Sequence, residues 1–221
     1  MQVSAEIRWF WQSSPPSGLE DWFCKSNAHG FAAGGAAEIR TDRYLREAGQ
    51  TELGIKLRGG NNEGIEIKGL ISSDVGVLSL DPFRGPVELW CKWTAKSLNL
   101  DSKPVLVTEK LRWLRKFDTA GASISEIQLD ARERPLNGKP LPERGCNVEW
   151  TRVSLPEREE SWWTFGFESF GTIRTVEDDL RAAASELLSR RPPQFFGGIL
   201  ASYPVWLNSL VSNAQNRSVE R

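Results

Sequence analysis

The chain has one histidine and three widely separated cysteines in 221 residues. His29, inside the Gly/Ala stretch "HGFAAGGAA", leaves nothing from which to build a histidine-based triad or a histidine-ligated zinc, and reads as a surface residue. Cys24, Cys91 and Cys146 form no C-x-x-C pair and are odd in number. A disulfide framework is therefore excluded, and reduced, inert thiols in the cytoplasm are expected. No apolar run approaches 18 residues, and the opening "MQVSAEIRWFW" lacks a basic region followed by an apolar stretch. Neither a membrane span nor a signal peptide is expected. An excess of either charge is missing too: 28 Lys and Arg stand against 29 Asp and Glu. Any affinity for phosphate must come from local patterning, and no DNA partner is expected. "GGNNEG" and "HGFAAGGAA" carry no GK[ST], and neither leads from a strand into a helix, so no phosphate-binding P-loop is present. Repeats and linkers are absent, which predicts a single domain over residues 1–210 and a flexible tail over 211–221.

What is present is alternation. With 39% apolar and 26% charged residues the composition is that of an ordinary globular protein. Residues 4–12, 38–47, 52–58, 65–70, 87–98, 104–118, 123–133, 146–155 and 161–171 alternate at the period of a strand. "SSDVGVLSLDPFRGP" reads as a loop. Leu19, Trp22 and Phe23 have helical spacing, and residues 175–191 form the clearest helix, with Thr175 as N-cap, acids in the first turn and a Pro-Pro stop. A further short helix is expected in "GGILASYPVWLNSLV". Most of the ten tryptophans sit inside the strand-like runs and read as packing residues.

Successive strand residues face opposite sides, so each run sorts its charges onto one face. Glu6 and Arg8 share a parity, as do Lys56 and Arg58, Glu66 and Lys68, Glu88 and Lys92, and Lys110 and Arg112. Glu149 falls with Asn147, Thr151 and Val153, and Glu168 ends the last strand. An antiparallel sheet with a wet outer face would give the same alternation. The K-x-R and E-x-K clusters, set against a Trp- and Leu-rich opposite face, also suit a closed barrel with its charges inside. Such a lumen demands an anion or water.

In this order the motifs resemble the CYTH, or triphosphate tunnel metalloenzyme, family. The resemblance is carried by "SAEIR" at 4–8, "RTDRYL" at 40–45, "LGIKLR" at 53–58, "IEIKGL" at 65–70, "EKLRWLRKFD" at 109–118, "TFGFESFG" at 164–171 and "SYPVWL" at 202–207. It implies a mainly β protein: a closed eight-stranded antiparallel barrel, or tunnel, with a few peripheral helices. It also implies Mg²⁺ or Mn²⁺ as cofactor and a triphosphate-containing small molecule or inorganic polyphosphate as partner. Glu6, Glu149 and Glu168 would then be the catalytic, metal-holding acids. Arg8, Lys56, Arg58, Lys68, Lys92, Lys110 and Arg112 would bind the substrate. Two departures stand out. Where the family has an E-x-E pair on its first strand this chain has Ser4 and Glu6, and near the end Glu168 follows Gly166.

Three functions stay open on these grounds. The first is metal-dependent binding and hydrolysis of a triphosphate, the work of a triphosphatase. The second is a non-catalytic polyphosphate- or nucleotide-binding protein of the same fold. The third is a β-sandwich interaction module. A homodimer is open as well, and no membrane partner is expected.

Overall fold

The computed structural model describes residues 1–24, 38–59, 64–96, 98, 100–130 and 132–219, apart from the side chains of Glu38 and of 213–219. His29, the loop at 29–37 and the tip of the hairpin between residues 59 and 64 lie outside them.

Among the described residues, twelve strands and three α-helices largely follow the alternation. The strands are β1 (Gln2–Gln12), β2 (Glu38–Leu45), β3 (Leu53–Arg58), β4 (Ile65–Ser72), β5 (Val77–Leu80), β6 (Phe83–Pro86), β7 (Glu88–Ala95), β8 (Val105–Asp118), β9 (Ser125–Ile127), β10 (Gly145–Leu155), β11 (Glu160–Phe170) and β12 (Ile199–Leu200). The helices are α1 (Leu19–Cys24), α2 (Val176–Ser189) and α3 (Tyr203–Val219). Eight strands pair in the order β10-β11-β1-β7-β4-β3-β2-β8, every pair antiparallel, and β8 returns to β10. The sheet is therefore a closed eight-stranded antiparallel barrel, and closure removes its exposed edges.

Four details differ from the sequence reading. Residues 77–86, expected as loop, form the small β5–β6 hairpin. The run 123–133 keeps only the three residues of β9, which pair with the end of β8. Thr175 stands at the N-cap of α2, but its hydroxyl bonds back to the Thr172 carbonyl instead of capping the helix. Helix α3 continues to Val219, past the point where the tail was expected to begin. No helix among the described residues is long and apolar enough to cross a membrane.

Closure sorts the two parities. The outward face of β1, β10 and β11 carries Ala5, Ile7, Trp9, Trp11, Val148, Trp150, Phe165 and Phe167, all buried beneath α1, α2 and the β5–β6 hairpin. Helix α2 meets it with a stripe of Val176, Leu180, Ala183, Ala184 and Leu187, spaced to fall along one side of a helix. The core of this protein thus lies largely outside the barrel, which leaves the inside free for polar residues. One mouth is closed by a second apolar cluster in which Phe10, Leu106, Val153, Leu155 and Trp162 of the strands meet Trp206 and Leu210 of α3. Strand β12 delivers that helix. It pairs with Trp9 and Phe10 of β1, beyond the point where the described β7 pairing with β1 ends at Glu6.

Candidate functional site

The inner parities converge on a cavity of about 230 Å³. All ten residues singled out from the sequence line it: Glu6, Glu149 and Glu168, with Arg8, Lys56, Arg58, Lys68, Lys92, Lys110 and Arg112. Arg40 and Lys116 add two further cations, and Glu66 and Glu133 two further carboxylates. Nine cations face five carboxylates, an excess of four that falls to three once buried Asp42 is counted. Glu88, which shares the parity of Lys92, is in register with Glu6 on β7 but does not line the cavity. Its carboxylate accepts the Trp90 indole N–H at 2.9 Å, and burial pushes its carboxyl up.

Three ion-pair groups organise the wall. Glu149 bridges two arginines, its Oε2 taking Arg8 Nη2 and its Oε1 taking Arg112 Nη1, each at 2.8 Å. Burial disfavours the Glu149 charge, but the guanidiniums of Arg112 and Arg8 outweigh it and hold the carboxyl well below its usual range. Arg112 also reaches Glu133, a residue of the β9–β10 connection. Two residues along the same strands, Glu6 accepts the Ser4 hydroxyl at 2.6 Å and pairs with Lys68, while Glu168 pairs with Lys92 at 2.9 Å. Burial works against the Glu168 charge as well, and Lys92 and Lys68 together bring its pKa down to about 2. The third group surrounds Asp42, which meets Lys110 at 3.1 Å, Arg40 at 3.5 Å and Lys56 at 3.8 Å. Burial pulls the ammonium groups of Lys56, Lys110 and Lys116 below their usual range. Lys92 is held up, chiefly by Glu168.

Aromatic rings seat these charges. Lys110 Nζ lies 4.1 Å from the Tyr203 ring centre and donates to the Tyr44 hydroxyl at 2.6 Å, and the Arg8 guanidinium sits 5.0 Å over Tyr203. The two departures at the strand ends acquire a physical meaning. Ser4 supplies a hydroxyl to Glu6, where a second acid would have repelled it. Gly166, opposite both Arg8 and Glu149 in register, leaves the space that the Arg8 guanidinium occupies. A Cβ there would stand 2.8 Å from Arg8 Cζ.

Glu6 and Glu168 face each other across β1 and β11, with Asn147 next to Glu168 on β10, and their oxygens are hard donors of the kind Mg²⁺ takes. Among the described residues, however, no three His, Cys, Asp or Glu side chains gather as a metal group. Each of the three acids already holds a Lys or Arg. As arranged, the set does not fit an ion unless Lys68 and Lys92 first withdraw.

Sequence reasoning left out several residues of this wall. Arg40, Asp42 and Tyr44 share one parity of "RTDRYL" and could have been found from that alternation. Tyr203 sits in the "SYPVWL" motif, and Asn147 shares the parity of Glu149. Glu133 carried no signal, because its position depends on a turn held by Asp130, whose Oδ1 accepts the backbone N–H of Arg132 and of Arg134.

No protein-family model matches the chain, and no curated protein matches it. A solved structure to which it is similar is that of the S. pombe Pct1 RNA triphosphatase, 10% identical, over 87% of this chain and 85% of that one, with a TM-score of 0.41. At that level of similarity the fold rests on this chain's own strand pairing.

Proposed function

We propose that the barrel binds the triphosphate group of a small molecule, or a short inorganic polyphosphate, inside its lumen. The observation that carries this reading is the cation excess: nine Lys and Arg against five lining carboxylates and buried Asp42 around one cavity. Like charges at such density, several of them buried, are costly unless an anion joins them. A triphosphate, with several negative oxygens spread along a chain, distributes its charge as the lining does. Arginines offer paired donors to a phosphoryl group and lysines offer point charges. The three unpaired cysteines suit the cytoplasm as the place of this work.

The second reading is hydrolysis of the bound triphosphate with Mg²⁺ or Mn²⁺. It requires Lys68 and Lys92 to leave Glu6 and Glu168 for the phosphate, and its support is that those two acids face each other across two strands. In it Arg8, Lys56, Arg58, Lys68, Lys92, Lys110 and Arg112 hold the phosphoryl oxygens and stabilise the charge that develops on them.

One experiment tests both. Calorimetric titration of tripolyphosphate into the protein, with EDTA and then with Mg²⁺ or Mn²⁺, is compared between the native chain and Lys56→Ala/Arg58→Ala. Binding in EDTA that weakens at least about tenfold in the variant supports the tunnel, since each lost charge-assisted contact is worth roughly a factor of ten or more. Release of phosphate that requires the metal, and that Glu6→Gln abolishes, carries the second reading. No binding in any condition sinks both.

A further inference from the structure

Among the described residues, a buried hydroxyl of the cavity wall has no protein partner, and it sits beside the apolar cluster that closes one mouth. Thr151 is 1% exposed, faces inward from β10, and its Oγ1 makes no hydrogen bond. Its neighbours in register are Arg112 on β8 and Thr164 on β11. The Thr164 hydroxyl is already engaged, by Arg8 Nη1 at 3.4 Å. A hydroxyl buried without a partner is destabilising in itself, and valine has nearly the same shape. Packing alone therefore gives no reason for a threonine here.

Location supplies one. Thr151 stands at the border between the charged lining and the apolar cluster: the next inward residue of β10 is Val153, which belongs to that cluster but faces Lys110 in register, and Arg112 lies beside Thr151 itself. An anion held by Arg112 and Lys110 lies next to the Thr151 hydroxyl. We infer that Thr151 belongs to the anion site and donates its hydroxyl hydrogen bond to a phosphoryl oxygen of the bound triphosphate. The inference rests on the proposed binding function and adds to it a neutral donor among the charged ones.

The test uses the whole protein, inorganic tripolyphosphate as the probe, and two substitutions. Thr151→Val keeps the shape and removes the hydroxyl, whereas Thr151→Ser keeps the hydroxyl. Titration calorimetry should show affinity about tenfold weaker for Thr151→Val, the usual size of one hydrogen bond to a charged group, and within about twofold of native for Thr151→Ser. Thermal unfolding without ligand should find Thr151→Val no less stable than the native protein, because an unpaired buried polar group has been removed. Unchanged affinity in Thr151→Val overturns the inference while leaving the tunnel standing. A weaker affinity accompanied by a lower unfolding temperature assigns the threonine a structural role and overturns it as well. If the native protein binds no tripolyphosphate, the proposed function falls and this inference falls with it.

Discussion

At Glu149 a carboxylate lies between two guanidiniums with almost no water around it: Arg8 is 6% exposed, Arg112 6% and Glu149 8%. Removing one member of such a group leaves uncompensated buried charge, which outweighs the modest net value of the intact pair. Glu149→Ala should therefore lower stability by about 3–5 kcal/mol in chemical denaturation. Tripolyphosphate should restore part of that loss, because it supplies the missing anion to the same two arginines. A variant as stable as the native protein would mean that the guanidiniums are solvated and the lumen wet. The same residue shows how far sequence reading reaches. Alternation alone put Glu149, Lys110 and Arg112 on the charged parity, but their partners lie tens of residues away, and no local pattern encodes which cation meets which acid.

At the scale of elements, β11 and α3 give the lumen its shape. Gly166 on β11 is the position where a side chain would collide with a functional group. Its Cβ would meet Arg8 Cζ, Nε and Nη1 at 2.8, 3.0 and 3.1 Å. Arg8 cannot yield without leaving Glu149. Gly166→Ala should then keep the barrel, judged by an unchanged far-ultraviolet circular dichroism spectrum, and weaken tripolyphosphate at least about tenfold, as expected for loss of a charge-assisted bond. Native affinity in this variant would show that Arg8 does not need its present seat. Helix α3 closes the lumen with Trp206, which stacks on Phe10 with ring centres 4.9 Å apart and meets Trp162 edge-on at 5.7 Å. Trp206→Ala should cost about 3–5 kcal/mol, the range for emptying an aromatic site in a packed core. Trp206→Phe should cost much less, since it keeps a ring and discards an indole N–H that has no partner. Equal losses in the two variants would argue that the helix is held by other contacts.

Across the whole molecule, the buried acids set the response to pH. Asp42, Glu149 and Glu168 all titrate below their usual range in the folded protein, Glu168 at about 2. In each case burial opposes ionisation and adjacent Lys or Arg overcomes it. A carboxyl whose folded pKa is depressed contributes stability that is fully present above its unfolded value, and that is lost as pH falls toward the folded one. Stability measured by denaturation should therefore be level down to about pH 5 and drop steadily between about pH 4.5 and 2, the interval between the usual glutamate value and that of Glu168. Tripolyphosphate present at 100 times its dissociation constant should add about 2.7 kcal/mol near neutral pH, and salt should erode the affinity behind that gain. A stability curve that is flat to pH 2 would contradict the buried ion pairs.

The strands and the charged parity follow from the chain itself, because a period of two and a cation at every other position are local properties. The same local logic placed Lys56, Arg58, Lys68, Lys110 and Arg112 on a common face without reference to a partner strand. Whether that face looked into a lumen or out to water was decided only in three dimensions. Closure of β8 on β10 turned the charges inward, and the packing of α1, α2 and the β5–β6 hairpin on the tryptophan face turned the core outward. The turn that brings Glu133 to Arg112 and the helix that closes one mouth of the lumen belong to tertiary structure for the same reason. Each is a contact between segments far apart in the chain, and its energy exists only once the barrel has closed.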